Sequence, residues 1–217
     1  MTELTLIRHG QAQTGAEDEV SYDNLSPLGH DQARWLGQYI EQSQSFDHII
    51  SGTMTRQIET AKSLGLDDIP IHTDCRLNEL DYFGLARSLQ STHGVPLPKG
   101  PQSFAAHVPQ LLEIWRNGDF HSGLETYDAF RTRIGDALQG AANREGRVLL
   151  VTSTGVIATL AALALGLGPE MKSKMFLRVA HTSVHKFELR GVELYLTQFG
   201  ATPHLDRPDR VDARTLV

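Results

Sequence analysis

Apolar residues recur along this chain with two different periods. Residues 4–7, Leu4-Thr5-Leu6-Ile7, form the short run expected of a strand covered on both faces, and it stops at Arg8-His9-Gly10. A polar loop follows. Ser26-Pro27 then supplies an N-cap and an N1 proline for a helix in which Ala33, Leu36 and Ile40 return at helical spacing. His48-Ile49-Ile50 reads as a second strand. Thr53 is placed to cap another helix, with Ile58, Ala61 and Leu64 facing inward and Gly65 ending it. Residues 69–73 make a third strand. This alternation predicts right-handed βαβ units and a mainly parallel sheet, an α/β fold.

The rhythm changes between about residues 85 and 143. A loop rich in Pro and Gly leads into two helical stretches, one carrying Val108, Leu111, Leu112 and Trp115, the other Tyr127, Phe130, Ile134 and Leu138. Pro109 predicts that the first helix begins or kinks there. The span is expected to be a helical cap insertion in a single domain covering 1–217, with its aromatic stripes serving as core. Val148-Leu149-Leu150-Val151 reads as a further strand, and residues 184–189 and 192–199 as two more across a turn at Arg190-Gly191. The uncharged stretch 148–168 has the length of a membrane span. Thr152-Ser153-Thr154-Gly155 interrupts it with turn chemistry, so a buried strand and a buried helix are expected, with no membrane partner.

At 217 residues and 40% hydrophobic content the chain can bury one large core. Its formal charge is −6, and its 20 Lys and Arg form no basic run, which argues against a nucleic-acid partner. Any anion must meet a local cluster. The single cysteine, Cys75, excludes an internal disulfide framework and fits a reducing compartment, where it reads as a small buried residue. No basic stretch followed by a long apolar one opens the sequence, so cytoplasmic residence is expected.

In an open α/β sheet, ligands bind beyond the carboxyl ends of the strands. Three such ends are polar here: Arg8-His9-Gly10, residues 51–56, and residues 152–155. Arg8, Arg56 and His9 converging there would make a compact cationic pocket with bidentate donors for phosphate oxygens. Gly10 would let the backbone approach the ligand, and helix N-termini near Thr53 and Thr154 would add N–H donors. A small phosphorylated substrate is the natural guest. His181 and His185 would suit a metal on a helix, but on a strand they sit too far apart to chelate readily, so no metal site is expected.

Arg8-His9-Gly10-Gln11 resembles the signature of the histidine phosphatase superfamily, also called phosphoglycerate mutase-like. Leu25-Ser26-Pro27-Leu28-Gly29 with Gln32-Ala33, then Ser51 through Arg56 to Thr60-Ala61, then Arg76-Leu77-Asn78-Glu79 with Tyr82 and Gly84, are similar to its later segments in the same order. The resemblance spans nearly the whole chain and fades across residues 85–123. It implies a three-layer αβα sandwich in which His9 is the nucleophile forming a phosphohistidine, Arg8 and Arg56 neutralise the phosphoryl charge, and Glu79 donates the proton. Gln11, Ser153 and Thr154 would join Arg8 and Arg56 around the phosphate, and no metal or cofactor is required. An imidazole near its ordinary pKa of about 6.5 is available to attack at neutral pH.

The chain departs from the family at Ser153, where a second histidine usually contacts the phosphate. A charge-assisted bond is worth roughly 1.5–3 kcal/mol, a factor of about 10 to 200 if all of it acts in the transition state. Ser153 reads equally well as a cap of the following helix. His181 stands where the family often has asparagine and is expected at the pocket edge; His204, in Thr202-Pro203-His204-Leu205, resembles a tail element that packs or caps. The leading expectation is a metal-independent phosphomonoester hydrolase. Two alternatives stand beside it: a phosphoglycerate mutase-type transferase, for whose second acidic group residues 85–123 offer only Arg87, Lys99 and Arg116, and a phosphate-binding module that has lost turnover through Ser153.

Overall fold

The computed structural model describes residues 2–13 and 18–216. In chain order the elements are β1 (Thr2–Arg8), α1 (Glu19–Tyr22), α2 (Pro27–Ser43), β2 (His48–Ser51), α3 (Thr55–Ser63), β3 (Ile71–Thr73), a 3₁₀ turn (Cys75–Leu77) and α4 (Tyr82–His93). They continue as α5 (Pro101–Asn117), α6 (Tyr127–Ala142), β4 (Val148–Thr152), α7 (Thr154–Leu165), α8 (Pro169–Phe176), β5 (Val184–Arg190), β6 (Glu193–Ala201) and a second 3₁₀ turn (Val211–Ala213).

The strands form one sheet in the order β3-β2-β4-β1-β5-β6. β3, β2, β4 and β1 run parallel, while β5 and β6 add an antiparallel edge. Each central strand is buried on both faces, and its period of two splits the core into layers. Val148 and Leu150 of β4 join Leu4 and Leu6 of β1 in a cluster with Leu85, Trp115, Phe130, Ile134 and Ile157. Leu149 and Val151 face the other way, with Ile7, Leu36, Ile40 and Ala61. Helices thus cover both faces of a mainly parallel sheet, the expected αβα sandwich.

Local chemistry explains several boundaries. Ser26 Oγ accepts from Gly29 N at 3.1 Å and caps α2, with Pro27 in its first turn. Gly166, at φ 64°, closes α7 where a side chain would be strained. Other expectations fail. Thr53 does not cap α3, which begins after Met54; Thr53 instead pairs with Asn78, accepting from Nδ2 at 2.7 Å and donating its N–H to Oδ1 at 2.7 Å. β3 covers only residues 71–73, because the chain turns at Leu66–Ile69 with an N–H···O bond of 3.1 Å. α5 starts at Pro101 and runs through Pro109. α4 and α8 had no counterpart in the periodic pattern. Cys75 is exposed, not buried, because it lies on a short 3₁₀ turn at the surface.

The helices between 82 and 142 are not set apart from the sandwich. α6 packs on β1 and serves as the crossover before β4, while α4 and α5 extend the same layer. The buried strand and helix expected across 148–168 are β4 and α7, and no helix among the described residues is long and apolar enough to cross a membrane.

Candidate active site

The ends of β1 and β4 and the start of α3 meet at one place. His9 is buried there, its N–H bonded to Thr152 O at 2.9 Å. Its ring Nδ1 lies 2.8 Å from Gly10 O. A carbonyl only accepts, so Nδ1 carries the proton and Nε2 holds the lone pair. Gly10 N donates to Thr60 Oγ1 at 2.9 Å, and Thr60 Oγ1 donates to Arg56 O at 2.7 Å, so the loop after β1 is tied to α3. The close approach at Gly10 is to the chain itself: a Cβ there would lie 2.5 Å from Gly29 O, in the first turn of α2.

Both arginines are buried. Arg8 Nη1 donates to Val179 O at 2.5 Å and Leu216 O at 2.6 Å, which fixes the guanidinium, while its Nε has no hydrogen-bond partner. Arg56 Nη1 donates to Asp23 Oδ1 at 2.9 Å, and its guanidinium stacks 5.0 Å from the Tyr22 ring centre. Burial, reinforced by the charges of Arg56 and Arg8, pushes the His9 pKa well below the ordinary histidine value. The imidazole is therefore neutral across a wide range, not merely near an unperturbed 6.5.

The N-termini of α3 and α7 were expected to offer free N–H groups. They are occupied by carboxylates of the chain. Asp23 accepts from Thr55 N at 2.9 Å and Arg56 N at 3.2 Å. Glu79 Oε2 accepts from Gly155 N at 2.8 Å, and Oε1 from Leu80 N at 2.9 Å. Glu79 thus caps α7 and faces the pocket at once. Burial raises its pKa, against the opposing pull of those two N–H groups and of Arg56 and Arg8.

Glu79 is held from behind. Thr152 Oγ1 donates to Leu77 O at 2.6 Å, and Arg133 Nη1 donates to Arg76 O at 2.7 Å and Asn78 O at 2.8 Å. Arg133 is itself paired with Glu125 at 2.6 Å. A Cβ at Gly155 would collide with Glu79 Oε1, so only glycine lets the carboxylate come this close.

A cavity of about 400 Å³ opens over these groups. Arg8, His9, Arg56, Glu79, Gln11, Thr154 and His181 line it, and the Thr154 hydroxyl is buried without a partner. Ser153 is absent from the lining. It is fully buried, its Oγ accepts from Gln57 Nε2 at 2.8 Å, and it makes no side-chain cap to α7. The cavity wall comes from Tyr22, Tyr82, Phe83, Pro98, Phe104 and Phe176. Apart from Tyr82, no local signal singles these out. His181 is expected at the edge and is found there, its ring 5.7 Å from that of His9. His185 and His204 lie off the cavity, bonded to Ser183 Oγ and Thr182 Oγ1, each at 2.8 Å. Among the described residues no three His, Cys, Asp or Glu side chains are grouped to hold a metal ion.

A profile of the histidine phosphatase superfamily (branch 1) matches residues 4–202. The chain is 24% identical over 216 residues to phosphoglycerate mutase-like protein 4 of Arabidopsis thaliana, covering 94% of this chain and 87% of that one. It is 26% identical to the probable phosphoglycerate mutase GpmB of Yersinia enterocolitica, over 96% and 97% of the two chains. Its fold matches that of a phosphoserine phosphatase from Entamoeba histolytica with TM-score 0.69 at 22% identity, over 94% and 100% of the chains. The chain belongs to branch 1 of the histidine phosphatase superfamily.

Proposed function

We propose that this protein hydrolyses phosphomonoesters through a phosphohistidine on Nε2 of His9, without a metal ion in the step. The observation that carries the reading is the His9 Nδ1–H bond to Gly10 O, which leaves a neutral ring with its lone pair on Nε2 beside two buried arginines. Nε2 attacks phosphorus, the bond to the ester oxygen breaks, and Glu79 gives that oxygen its proton. Water then attacks the phosphohistidine, Glu79 takes the proton back, and the N–P bond breaks to release orthophosphate. Arg8 and Arg56 offset the charge on the equatorial oxygens, a task that needs positioning more than covalent chemistry. The raised pKa of Glu79 favours the protonated acid that the first step requires.

Two other readings separate from this one experimentally. A mutase must return the phosphoryl group to a second hydroxyl, and a binding module must hold phosphate without consuming an ester. The test is hydrolysis of a generic aryl phosphate with chelator present, for the intact protein and His9→Ala, followed by alkaline trapping of the labelled intermediate. Chelator-resistant turnover and a phosphorylated His9, both lost in the variant, are expected. Phosphoryl transfer between positions of a phosphoglycerate faster than hydrolysis would favour the mutase. Binding of orthophosphate by calorimetry with no turnover would favour the module.

A further inference from the structure

Beyond the phosphate end, we infer that the leaving group is an apolar alcohol bearing a flat ring, an inference that rests on the hydrolase reading above. The cavity wall is built around Tyr82, whose ring centre lies 5.3 Å from that of Phe104 and 5.8 Å from that of Phe83. Its hydroxyl is 3.0 Å from His107 Nδ1, so the ring is anchored at its polar end. Tyr22, Pro98 and Phe176 continue the same surface. Rings in this arrangement offer faces and edges to another ring, and stiff walls lose little entropy on binding it. Among the described residues, the only charged side chains lining the cavity are Arg8, Arg56 and Glu79. Arg87 and Lys99 lie outside the lining, and Arg116 lines a separate cleft. A carboxylate on the substrate would therefore find no second cation at that wall.

The comparison that tests this keeps ester reactivity constant: 3-phenylpropyl phosphate, propyl phosphate and 3-phosphoglycerate all leave as aliphatic alcohols. The phenylpropyl ester is expected to exceed both others in kcat/KM by about tenfold or more. Phe104→Ala should bring the phenylpropyl-to-propyl ratio toward one. Preference for the phosphoglycerate, or a ratio near one in the intact protein, overturns the inference. If no ester turns over, calorimetry on the same three compounds decides it: tighter binding of the phenylpropyl ester upholds the ring site while rejecting hydrolysis, and equal or no binding rejects the ring site.

A separate observation concerns the phosphate end. The geometry points to His181 as a neutral donor to the phosphoryl group from Nε2, with Thr215 and Gln32 as positioning residues. His181 Nε2 is buried in the cavity lining without a partner. Its Nδ1 lies 2.8 Å from Thr215 Oγ1. That oxygen also accepts from Gln32 Nε2 at 3.0 Å; with the hydroxyl proton turned to Nδ1, the ring proton sits on Nε2, and this is the tautomer that donation to the phosphoryl group requires. Thr182 sets the ring's position: it holds φ 55°, a costly conformation for a β-branched residue, and its N–H and hydroxyl bond His9 O and His181 O. Burial and the Arg8 charge keep the ring neutral.

Nitrogen-15 spectra of the histidines, with and without orthophosphate, test this without turnover. Expected are an Nε2–H tautomer for His181 and a shift of that signal on phosphate binding. Thr215→Val should mix the tautomers. His181→Phe should weaken phosphate by about tenfold or more, with His181→Asn restoring part of the loss. An Nδ1–H tautomer, an unmoved signal at saturation, or no phosphate binding by the intact protein would overturn it; absent turnover with a moving signal would reject only the hydrolase reading.

Discussion

Gln57 donates to Ser153 Oγ from 2.8 Å, so the residue at the end of β4 braces α3 and does not face the cavity. Gln57 Nε2 also reaches Leu77 O at 3.2 Å, two residues before Glu79. Ser153→His would have to displace this amide in a fully buried position, at a cost of about 1–3 kcal/mol for overpacking. The expected outcome is a lower Tm with no gain in kcat, checked by thermal unfolding and aryl phosphate turnover. A tenfold gain would mean that a donor is missing at this position.

Gly155→Ala places a methyl group against Glu79 Oε1 while sparing the backbone, since alanine suits a helix. Stability should fall by about 1–3 kcal/mol, because the methyl group also crowds the buried Leu80 side chain and the displaced carboxyl group leaves its bonds to Gly155 N and Leu80 N. A fall in kcat of at least tenfold at nearly constant KM is expected from steady-state kinetics.

Arg133 does not itself line the cavity, yet it grips the carbonyls of residues 76, 78 and 79 from behind. Arg133→Met should lower kcat and shift the alkaline limb of the pH profile, because Glu79 loses its fixed distance from α7. Lysine cannot reproduce the fork, so Arg133→Lys should rescue little. Full rescue by lysine would refute the clamp.

The activity profile should lie on the acid side. Glu79 must carry a proton in the first step, so turnover falls as pH rises through its raised pKa, whereas His9 stays neutral until pH drops well below 6.5. Glu79→Gln should remove the Glu79 limb from the kcat profile and slow esters with poor leaving groups most.

Folding stability has its own pH dependence. Burial pushes His185 down to about 3 and His204 to about 4. Their unfolded forms take up protons first, so stability is present above about pH 6.5 and is lost as pH falls toward these values, by up to roughly 1.4 kcal/mol per pH unit for each proton. Glu79 acts with the opposite sign, losing its contribution as pH rises through its raised value. Urea unfolding at pH 7 and pH 5 should show the loss on acidification, and His185→Gln should reduce it.

Much of the scaffold was legible because burial periodicity is local. β1, β2 and β4 carry their burial in three to five consecutive residues, and Ser26-Pro27 announces α2 by backbone chemistry alone. α4 was missed because Gly84 and its serines and threonine dilute the apolar repeat at Leu85 and Leu89, and α8 because eight residues hold barely two turns.

The sequence by itself determined which strand ends are polar, and thereby brought Arg8, His9 and Arg56 to one site, while Glu79 was added by the family resemblance of Arg76-Leu77-Asn78-Glu79. Only the tertiary structure decided what each polar atom does there. Asp23 and Glu79 occupy the helix ends that looked open to a ligand, Gln57 turns Ser153 away, and Thr215, 34 residues from His181, orients its ring. Backbone preference and hydrophobic period are properties of neighbours along the chain. Hydrogen-bond partners and burial are chosen by segments that meet only on folding, and these set the protonation state and free donors on which the chemistry depends.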